Sequence, residues 1–419
     1  MTTVLKHGGA RDKITSAEIE EFLKNFAEIL PAGAGKILLI PPDFSRFHSG
    51  AGEISVSLYK LLSESAAIDV LPALGTHRPM TKVEMDRMFP GIPHKQFHVH
   101  DWRGGTRQLG EIPGEFIAGL SGGKADYPVR IELARRITDG KYDAIISIGQ
   151  VVPHEVAGMA GGNKNLLVGC AGPDTINKSH FLGAVCNMEK LMGHIDNPVR
   201  KFLNEAEDRF LAGLPLWYIL TVRANDEDGG MATRGIFASE GRGCYLPAAQ
   251  LSRQVNIFKV KPFKKVVVYL DPSEFKSTWL GNKAIYRTRM AIADGGELLI
   301  IAPGLVEFGE AAVNDRLIRK YGYRGTPAVL KAVNENEDLR RNLGAAAHLI
   351  HGSSEGRFKI VYASGGLSRQ EIESVGFHYA DLRECLEKYK PEKLRDGHYK
   401  SAAGEFYFIS NPALGLWQK

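Results

Sequence analysis

Short aliphatic runs that end abruptly in polar or glycine-containing loops constrain the fold of this chain more than any other feature. Their β-branched residues are typical of strands buried on both faces of a parallel sheet. They occur in KILLIPPDFSR, IDVLPALGTHRP, YDAIISIGQVVPHE, WYILTVRAND, KKVVVYLDPSE, ELLIIAPG and FKIVYASGG. Helix-like segments alternate with these runs, which predicts an α/β fold with mainly parallel sheets.

One of the helix-like segments, SAEIEEFLKNFAEIL, shows the helical pattern clearly. Ser16 is its candidate N-cap, and its apolar residues recur at helical spacing. These residues, expected to face the core, are Ile19, Phe22, Leu23 and Phe26.

The length of 419 residues exceeds that of a typical single domain, so we expect two α/β domains. The helix-like PAAQLSRQVN gives way to IFKVKPFKK, and a new strand begins at Val266. We therefore predict an N-terminal domain over residues 1–262 and a C-terminal domain over residues 263–419. The active site is expected in the cleft between them.

The composition indicates a soluble, globular protein. Hydrophobic residues make up 44% and charged residues 24% of the chain. The sequence has neither the run of about 20 apolar residues that a membrane helix needs nor the apolar core of a signal peptide, so we expect a cytoplasmic protein. The net charge of +5 is modest and spread along the chain, which disfavours nucleic acid as a partner but is compatible with a small anion.

Charged or titratable side chains follow the first three predicted strands. In open α/β sheets ligands bind outside the carboxyl ends of strands, so these side chains should meet at one edge. They are Asp43 and Arg46, then His77 and Arg78, then His154 and Glu155. Each alone has an ordinary structural explanation, such as a hydrogen-bonded histidine or a local Asp–Arg turn, but three in succession favour a site.

The glycine-rich segment AGMAGGNK does not match two common nucleotide-binding motifs. It is neither the dinucleotide fingerprint GxGxxG nor the phosphate loop GxxxxGK[ST], so NAD-dependent or phosphate-transfer chemistry is not indicated. Its glycines still allow the backbone to approach a ligand closely. His98 and His100, two residues apart, are a possible metal pair, although the sequence shows no third ligand nearby.

Four motifs occur in a fixed order along the chain, namely DFSR, GTHR, PHEVAGMAGGNK and NKSH, and the last places a histidine sixteen residues after the lysine of the third. They supply Asp43, Arg46, Gly75, His77, Arg78, Pro153, His154, Gly158, Gly161, Gly162, Lys164 and His180. In order and spacing these motifs resemble the lactate racemase family, whose members use a nickel-pincer nucleotide.

The resemblance implies a covalent cofactor, pyridinium-3-thioamide-5-thiocarboxylate mononucleotide, attached to Lys164. Nickel would be held by two sulfurs and a ring carbon of the cofactor and by His180, a soft donor set that suits this metal. Gly161 and Gly162 would contact the cofactor. Asp43 would either orient a catalytic group or bind a cofactor hydroxyl.

The resemblance also implies racemisation or epimerisation of a 2-hydroxy acid by reversible hydride transfer. His77 and His154 would act as proton-transfer bases, because an imidazole titrates near neutral pH. Arg46 would hold the substrate carboxylate through its planar fork. The C-terminal domain would close over the substrate and exclude water.

One run in the C-terminal half departs from the family pattern. Lactate racemases tend to have Tyr-Gln-x-Gln-Lys where this chain has Tyr286, Arg287, Thr288, Arg289 and Met290. Tyr286 and Arg287 are the predicted substrate contacts here, and arginines in place of amides favour a substrate larger than lactate, such as a sugar acid or a dicarboxylic hydroxy acid. Alternatively, Arg287 and Arg289 face solvent or form structural ion pairs, and for Arg289 this explanation is about as good as a substrate contact.

The leading hypothesis is therefore an isomerase that depends on cofactor-synthesis enzymes as partners and acts on a small anionic 2-hydroxy acid. A second hypothesis is a protein that binds the nickel-pincer nucleotide without catalysis. A third is a metal hydrolase that uses His77, His154 and His180, which requires zinc and no organic cofactor.

Overall fold

The computed structural model describes residues 3–226, 230–401, 404–413 and 415–419. The chain divides into two compact units. The first consists of Met1–Leu182 and Leu191–Asn256, and the second of Gly183–Lys190 and Ile257–Lys419. The change of unit after Asn256 lies a few residues before the predicted boundary at 262. The assignment of the short segment Gly183–Lys190 to the second unit was not predicted.

The first unit is built on a six-stranded sheet. Its strands, in spatial order, are Val4–Gly8, Met231–Glu240, Leu216–Asn225, Ala144–Gln150, Lys36–Ile40 and Ala67–Val70. The last four pair in parallel, and the first two join this core in antiparallel pairs. Two antiparallel pairs stand apart from this sheet, Thr106–Ile112 with Val129–Ala134 and Pro153–His154 with Gly158–Met159.

Helices surround this sheet because the central strands are apolar on both faces and need cover. The α-helices before residue 257 are Ser16–Glu28, Ala51–Leu62, Lys82–Met88, Gly114–Ser121, Arg135–Asp139, Lys164–Leu167, Pro173–Val185, Met188–Leu191, Pro198–Phe210 and Tyr245–Asn256. Single 3₁₀ turns or short 3₁₀ helices occur at Phe44–Ser49, His94–Gln96 and Gly241–Cys244.

The first long helix buries the four apolar residues that its periodicity predicted, Ile19, Phe22, Leu23 and Phe26. They pack in one cluster with the strand residues Ile37, Leu39, Ile146 and Ile148. The N-cap is Thr15 rather than Ser16. Thr15 is favoured because Glu18 stands three residues later, so the two side chains close a capping box with each other's backbone N–H groups.

The second unit contains another six-stranded sheet. In spatial order its strands are His378–Tyr379, Lys359–Ser364, Ile292–Ala302, Phe263–Tyr269, Gly404–Ile409 and Gly397–Ser401. Every neighbouring pair is parallel except the last. A separate parallel pair joins Ile257–Lys259 to Leu416–Gln418.

The helices of the second unit again alternate with strands along the chain. They are Thr278–Gly281, Lys283–Thr288, Ala312–Tyr321, Thr326–Glu335, Glu337–Arg340, Leu343–His351, Arg369–Ser374 and Leu382–Tyr389, with a 3₁₀ turn at Pro391–Lys393. The predicted α/β class with mainly parallel sheets is confirmed, and each aliphatic run used for that prediction forms a strand. In the part of the chain that the structure describes, no helix is long and apolar enough to cross a membrane.

Candidate active site

The predicted residues of the first unit follow the carboxyl ends of three parallel strands. Asp43 lies just beyond Lys36–Ile40, His77 beyond Ala67–Val70 and His154 beyond Ala144–Gln150. Because these strands are neighbours with a common direction, their ends meet at one edge of the sheet.

Asp43 and His77 form a tight pair at this edge. The Nδ1 atom of His77 lies 2.6 Å from Oδ2 of Asp43, and Oδ1 of Asp43 accepts hydrogen bonds from the hydroxyl and backbone N–H of Ser45. Burial favours the protonated carboxyl, but His77, Ser45 and Arg46 outweigh it and lower the pKa of Asp43 to about 2. An ionised Asp43 fixes the proton of His77 on Nδ1, so Nε2 presents a lone pair.

His154 has the opposite arrangement of its ring nitrogens. Its Nδ1 accepts the backbone N–H groups of Val156 at 3.1 Å and Ala157 at 3.4 Å. A nitrogen that accepts these bonds carries no proton, so the neutral ring is protonated on Nε2, which lies 3.7 Å from Oε1 of Glu155. His77 therefore presents a hydrogen-bond acceptor at Nε2, whereas His154 presents a hydrogen-bond donor at Nε2.

Lys164 begins the short helix Lys164–Leu167, directly after the glycine-rich loop. It keeps a small accessible surface although protein atoms surround it closely. Burial, and then the charge of Arg46, lower its pKa to about 8, while Glu155 acts in the opposite direction. Near neutral pH this amine is therefore much more often unprotonated, and hence nucleophilic, than a solvated lysine.

His180 lies on the helix Pro173–Val185, and its Nδ1 donates to the carbonyl of Ile176 at 2.7 Å. Burial, and then the nearby charge of Lys164, lower its pKa to about 4. The ring is consequently neutral near pH 7, and the bond at Nδ1 leaves the Nε2 lone pair for a metal.

Lys164 and His180 fit a metal whose other ligands come from a bound cofactor. Within the described ranges, no group of three or more His, Cys, Asp or Glu side chains is arranged to hold a metal ion. A zinc hydrolase would use three protein ligands, and that hypothesis stays a prediction. A single neutral imidazole beside a nucleophilic lysine suits a covalently attached cofactor that supplies the other donors.

Part of the first unit matches a known protein family. The family model of the lactate racemase N-terminal domain matches residues 11–193, a range that contains every predicted site residue of this unit. The first part of the chain is thus similar to lactate racemases. The lactate racemase of Thermoanaerobacterium thermosaccharolyticum is 26% identical to this chain over 290 residues, which span 65% of this chain and 61% of that protein.

Two solved structures share the fold of this chain. A crystal structure of a protein from Thermotoga maritima matches with a TM-score of 0.84 at 24% identity, over 98% of this chain and 99% of that one. The lactate racemase apoprotein from T. thermosaccharolyticum matches with a TM-score of 0.70 at 19% identity, over 99% of this chain and 95% of that one.

Gly161 and Gly162, predicted to contact the cofactor, have backbone φ angles of +81° and +62°. A Cβ atom would lie 2.9 Å from Val151 at the first position and 3.0 Å from the Tyr245 ring at the second. Backbone conformation and packing therefore already require glycine at both positions, and their contact with the cofactor stays a prediction.

The predicted substrate residues of the second unit lie on the helix Lys283–Thr288. The Tyr286 hydroxyl and Nδ1 of His348 are 3.0 Å apart. Arg287 is buried, and its Nη2 donates to the carbonyl of Ala413 at 3.3 Å. Their role in substrate binding stays a prediction.

Arg289 forms a buried ion pair instead of facing solvent. Its Nε donates to Glu189 at 2.9 Å, and its Nη1 donates to the carbonyl of Ser353 at 3.1 Å. Among the structural explanations that the sequence left open for Arg289, the ion pair is the one observed.

The possible metal pair of His98 and His100 is not supported by the structure. Nε2 of His98 lies 2.9 Å from Asp69, whereas Nε2 of His100 lies 3.0 Å from the carbonyl of Ala171. The two rings thus engage separate partners.

Sequence reasoning missed three buried polar residues behind Lys164, namely Asn163, Arg200 and Glu207. Arg200 and Glu207 lie on the helix Pro198–Phe210, in a stretch whose charged composition is typical of a solvent-facing helix. The only sequence signal was the position of Asn163 beside Lys164.

Proposed function

We propose that this protein is a racemase or epimerase that inverts C2 of a 2-hydroxy acid and uses a nickel-pincer nucleotide attached to Lys164. The observation that carries the proposal is the Lys164 amine, whose pKa is lowered to about 8 close to the neutral imidazole of His180. The match of residues 11–193 to the lactate racemase N-terminal domain and the similarity to a lactate racemase support it.

Two residues would hold the cofactor. Lys164 provides an amine nucleophilic enough to be acylated, and the Nε2 atom of His180 provides one imidazole ligand for nickel. When bound, the cofactor supplies a reversible hydride acceptor for C2 of the substrate. The protein then has to bind the substrate, hold it in a fixed orientation, exclude water and move the hydroxyl proton.

The two histidines would handle that proton. Nε2 of His77 takes it from the C2 hydroxyl, and the ionised Asp43, at 2.6 Å from Nδ1, stabilises the imidazolium that forms. His154 presents a proton on Nε2, as its accepting Nδ1 requires. Arg46 would bind the substrate carboxylate, because its charge acts on both Asp43 and Lys164 and its planar fork matches a carboxylate.

The substrate would be larger than lactate, such as a sugar acid or a dicarboxylic hydroxy acid. The sequence suggested two arginines for its additional oxygens, but Arg289 already pairs with Glu189. The proposal for substrate size therefore depends on Arg287, with Tyr286 beside it. We further propose a cytoplasmic protein that receives its cofactor from dedicated synthesis enzymes.

A stereochemical assay tests this proposal. The protein is produced together with nickel-pincer synthesis enzymes and incubated with single enantiomers of short, aromatic, dicarboxylic and sugar-derived 2-hydroxy acids, and the products are separated by chiral chromatography. We expect inversion at C2 for at least one of the larger acids, and a turnover at least about 10²-fold lower in His77→Gln. Cofactor-loaded protein that inverts none of them would refute the proposal and favour a cofactor-binding role without catalysis.

The variant Arg287→Met tests the substrate class separately. We expect it to raise KM for a dicarboxylic or sugar acid about tenfold or more, the scale of one lost charge-assisted contact, while leaving KM for lactate nearly unchanged. An equal effect on all substrates would assign Arg287 to the protein scaffold.

A further inference from the structure

A buried polar network lies directly behind the glycine-rich loop that precedes Lys164. Its centre is Arg200, on the helix Pro198–Phe210, and this side chain is almost fully buried. Nη2 of Arg200 donates to the carbonyl of Met159 at 2.7 Å and to that of Gly161 at 3.4 Å, and Nη1 donates to Oδ1 of Asn163. One guanidinium thus contacts three positions of a five-residue loop.

The ring of Tyr245 also contacts Arg200. The guanidinium lies 4.1 Å from the ring centroid, and the Tyr245 hydroxyl donates to the same Met159 carbonyl at 3.1 Å. The same ring also packs closely on Gly162, where a Cβ would lie 3.0 Å away. The loop is therefore enclosed between Arg200 and Tyr245.

Asn163 is held from its other side by a carboxylate. Its Nδ2 donates to Oε2 of Glu207 at 2.8 Å and to Asn204 at 2.9 Å. Glu207 also accepts the Tyr218 hydroxyl at 3.0 Å. With a cation on its oxygen and a carboxylate on its nitrogen, the Asn163 side chain is bonded at both ends of its amide and is held rigidly in one orientation.

This rigidity bears directly on Lys164, because Asn163 is the preceding residue and its carbonyl accepts the N–H of Leu167 at 2.8 Å. The orientation of Asn163 therefore fixes the start of the helix Lys164–Leu167. We propose that Arg200 is a positioning residue: it holds the Met159–Asn163 loop in one conformation and so presents the Lys164 amine for covalent attachment of the cofactor. In that step the amine nitrogen would form the C–N bond of a thioamide with a thiocarboxylic acid carbon of the nucleotide, while a C–O bond breaks and water leaves. This inference rests on the proposed function.

The test compares Arg200→Met with a matched control, Arg242→Met. Arg242 belongs to the far side of the same network, where it pairs with Asp208 and Glu207, and the structure shows no bond from it to the Met159–Asn163 loop among the described residues. Hydrogen–deuterium exchange of the unloaded proteins is the first measurement. We expect peptides that cover residues 159–167 to exchange about tenfold faster in Arg200→Met, and at the wild-type rate in Arg242→Met.

The second measurement is the fraction of protein that carries the adduct on Lys164 after production with limiting cofactor. We expect this fraction to fall about tenfold in Arg200→Met, because misplacing a nucleophile slows its reaction. Arg200→Lys, which keeps the charge but not the fork, should recover part of it, and Arg242→Met should match the wild type. If Arg200→Met does not fold, Asn163→Ser replaces it, since that change removes the contact of Arg200 next to the lysine.

Unchanged exchange in the loop together with an unchanged adduct fraction would overturn the proposal. Equal losses in the Arg200 and Arg242 variants would also overturn it, because they would indicate a general effect on the core. Failure of the proposed function gives a different result, in which the wild type itself carries no adduct while the exchange measurement still reports whether Arg200 holds the loop.

Discussion

The lowered pKa of Lys164 predicts that the unloaded protein is destabilised by this lysine. Its pKa falls from 10.5 to about 8, a difference that corresponds to up to roughly 3 kcal/mol, since one pKa unit equals 1.36 kcal/mol. Water that reaches the small accessible surface of the side chain reduces this cost. The variant Lys164→Met removes the charge and keeps the side-chain length, so we expect it to be more stable than the wild type at pH 7.

The stability difference between Lys164→Met and the wild type depends on pH because the folded and unfolded states bind the lysine proton differently. Below about pH 8 the lysine is protonated in both the folded and the unfolded state, so the full cost is present. Between pH 8 and 10.5 the unfolded state still binds a proton that the folded state has released, so the stability of the wild type rises with pH. The advantage of Lys164→Met should therefore shrink across this window.

Unfolding in guanidinium chloride, followed at pH 7 and again near pH 10.5, measures this effect. Lys178→Met is the matched control, because Lys178 donates to Asp174 at 2.9 Å. We expect this control to show no stabilisation at pH 7. The reasoning would be refuted if Lys164→Met were no more stable than the wild type at pH 7, or if its advantage were the same at both pH values.

Three further predictions concern single contacts. Asp43→Asn should lower turnover about 10²-fold or more, because it loses the charge that orients His77; wild-type turnover would exclude this role. Nitrogen NMR of labelled histidines should show His77 protonated on Nδ1 and His154 on Nε2 at neutral pH, and the same tautomer for both would contradict the assigned hydrogen bonds. Arg289→Met should destabilise the protein by about 2 kcal/mol in urea unfolding, because Glu189 loses its shorter ion pair and keeps only the longer one to Arg357 at 3.5 Å; an unchanged midpoint would show that the Arg289–Glu189 pair is dispensable.

The sequence predicted the parallel core of both sheets because that core consists of continuous aliphatic runs. It did not predict the strand Val4–Gly8, which is mostly exposed and pairs antiparallel with Met231–Glu240, far along the chain. It also did not assign Gly183–Lys190 to the second unit. Both features depend on contacts between distant segments, which a local pattern does not contain.

The candidate site was likewise predicted only in part from the sequence. Strand ends indicated Asp43, His77 and His154, and family motifs added Lys164 and His180. The sequence could not predict which ring nitrogen of His77 and His154 carries the proton. For His77 this depends on the Asp43 carboxylate, and for His154 on backbone N–H groups.

Charged residues were the hardest to interpret from sequence alone. Arg289, Arg200 and Glu207 have the composition of ordinary surface positions, yet each is buried in a polar network. Burial of such residues is decided by partners that lie far away in sequence, such as Glu189 for Arg289. Only the folded chain reveals these partners.

Peptide mapping by mass spectrometry tests the central claim most directly. Protein produced with the cofactor-synthesis enzymes is digested, and the peptide that contains Lys164 is compared with the same peptide from Lys164→Arg protein. We predict a mass increase on Lys164 that corresponds to the nickel-pincer nucleotide, with nickel in the intact protein and no adduct in the variant. An unmodified Lys164 peptide in protein that still inverts a 2-hydroxy acid would contradict the account.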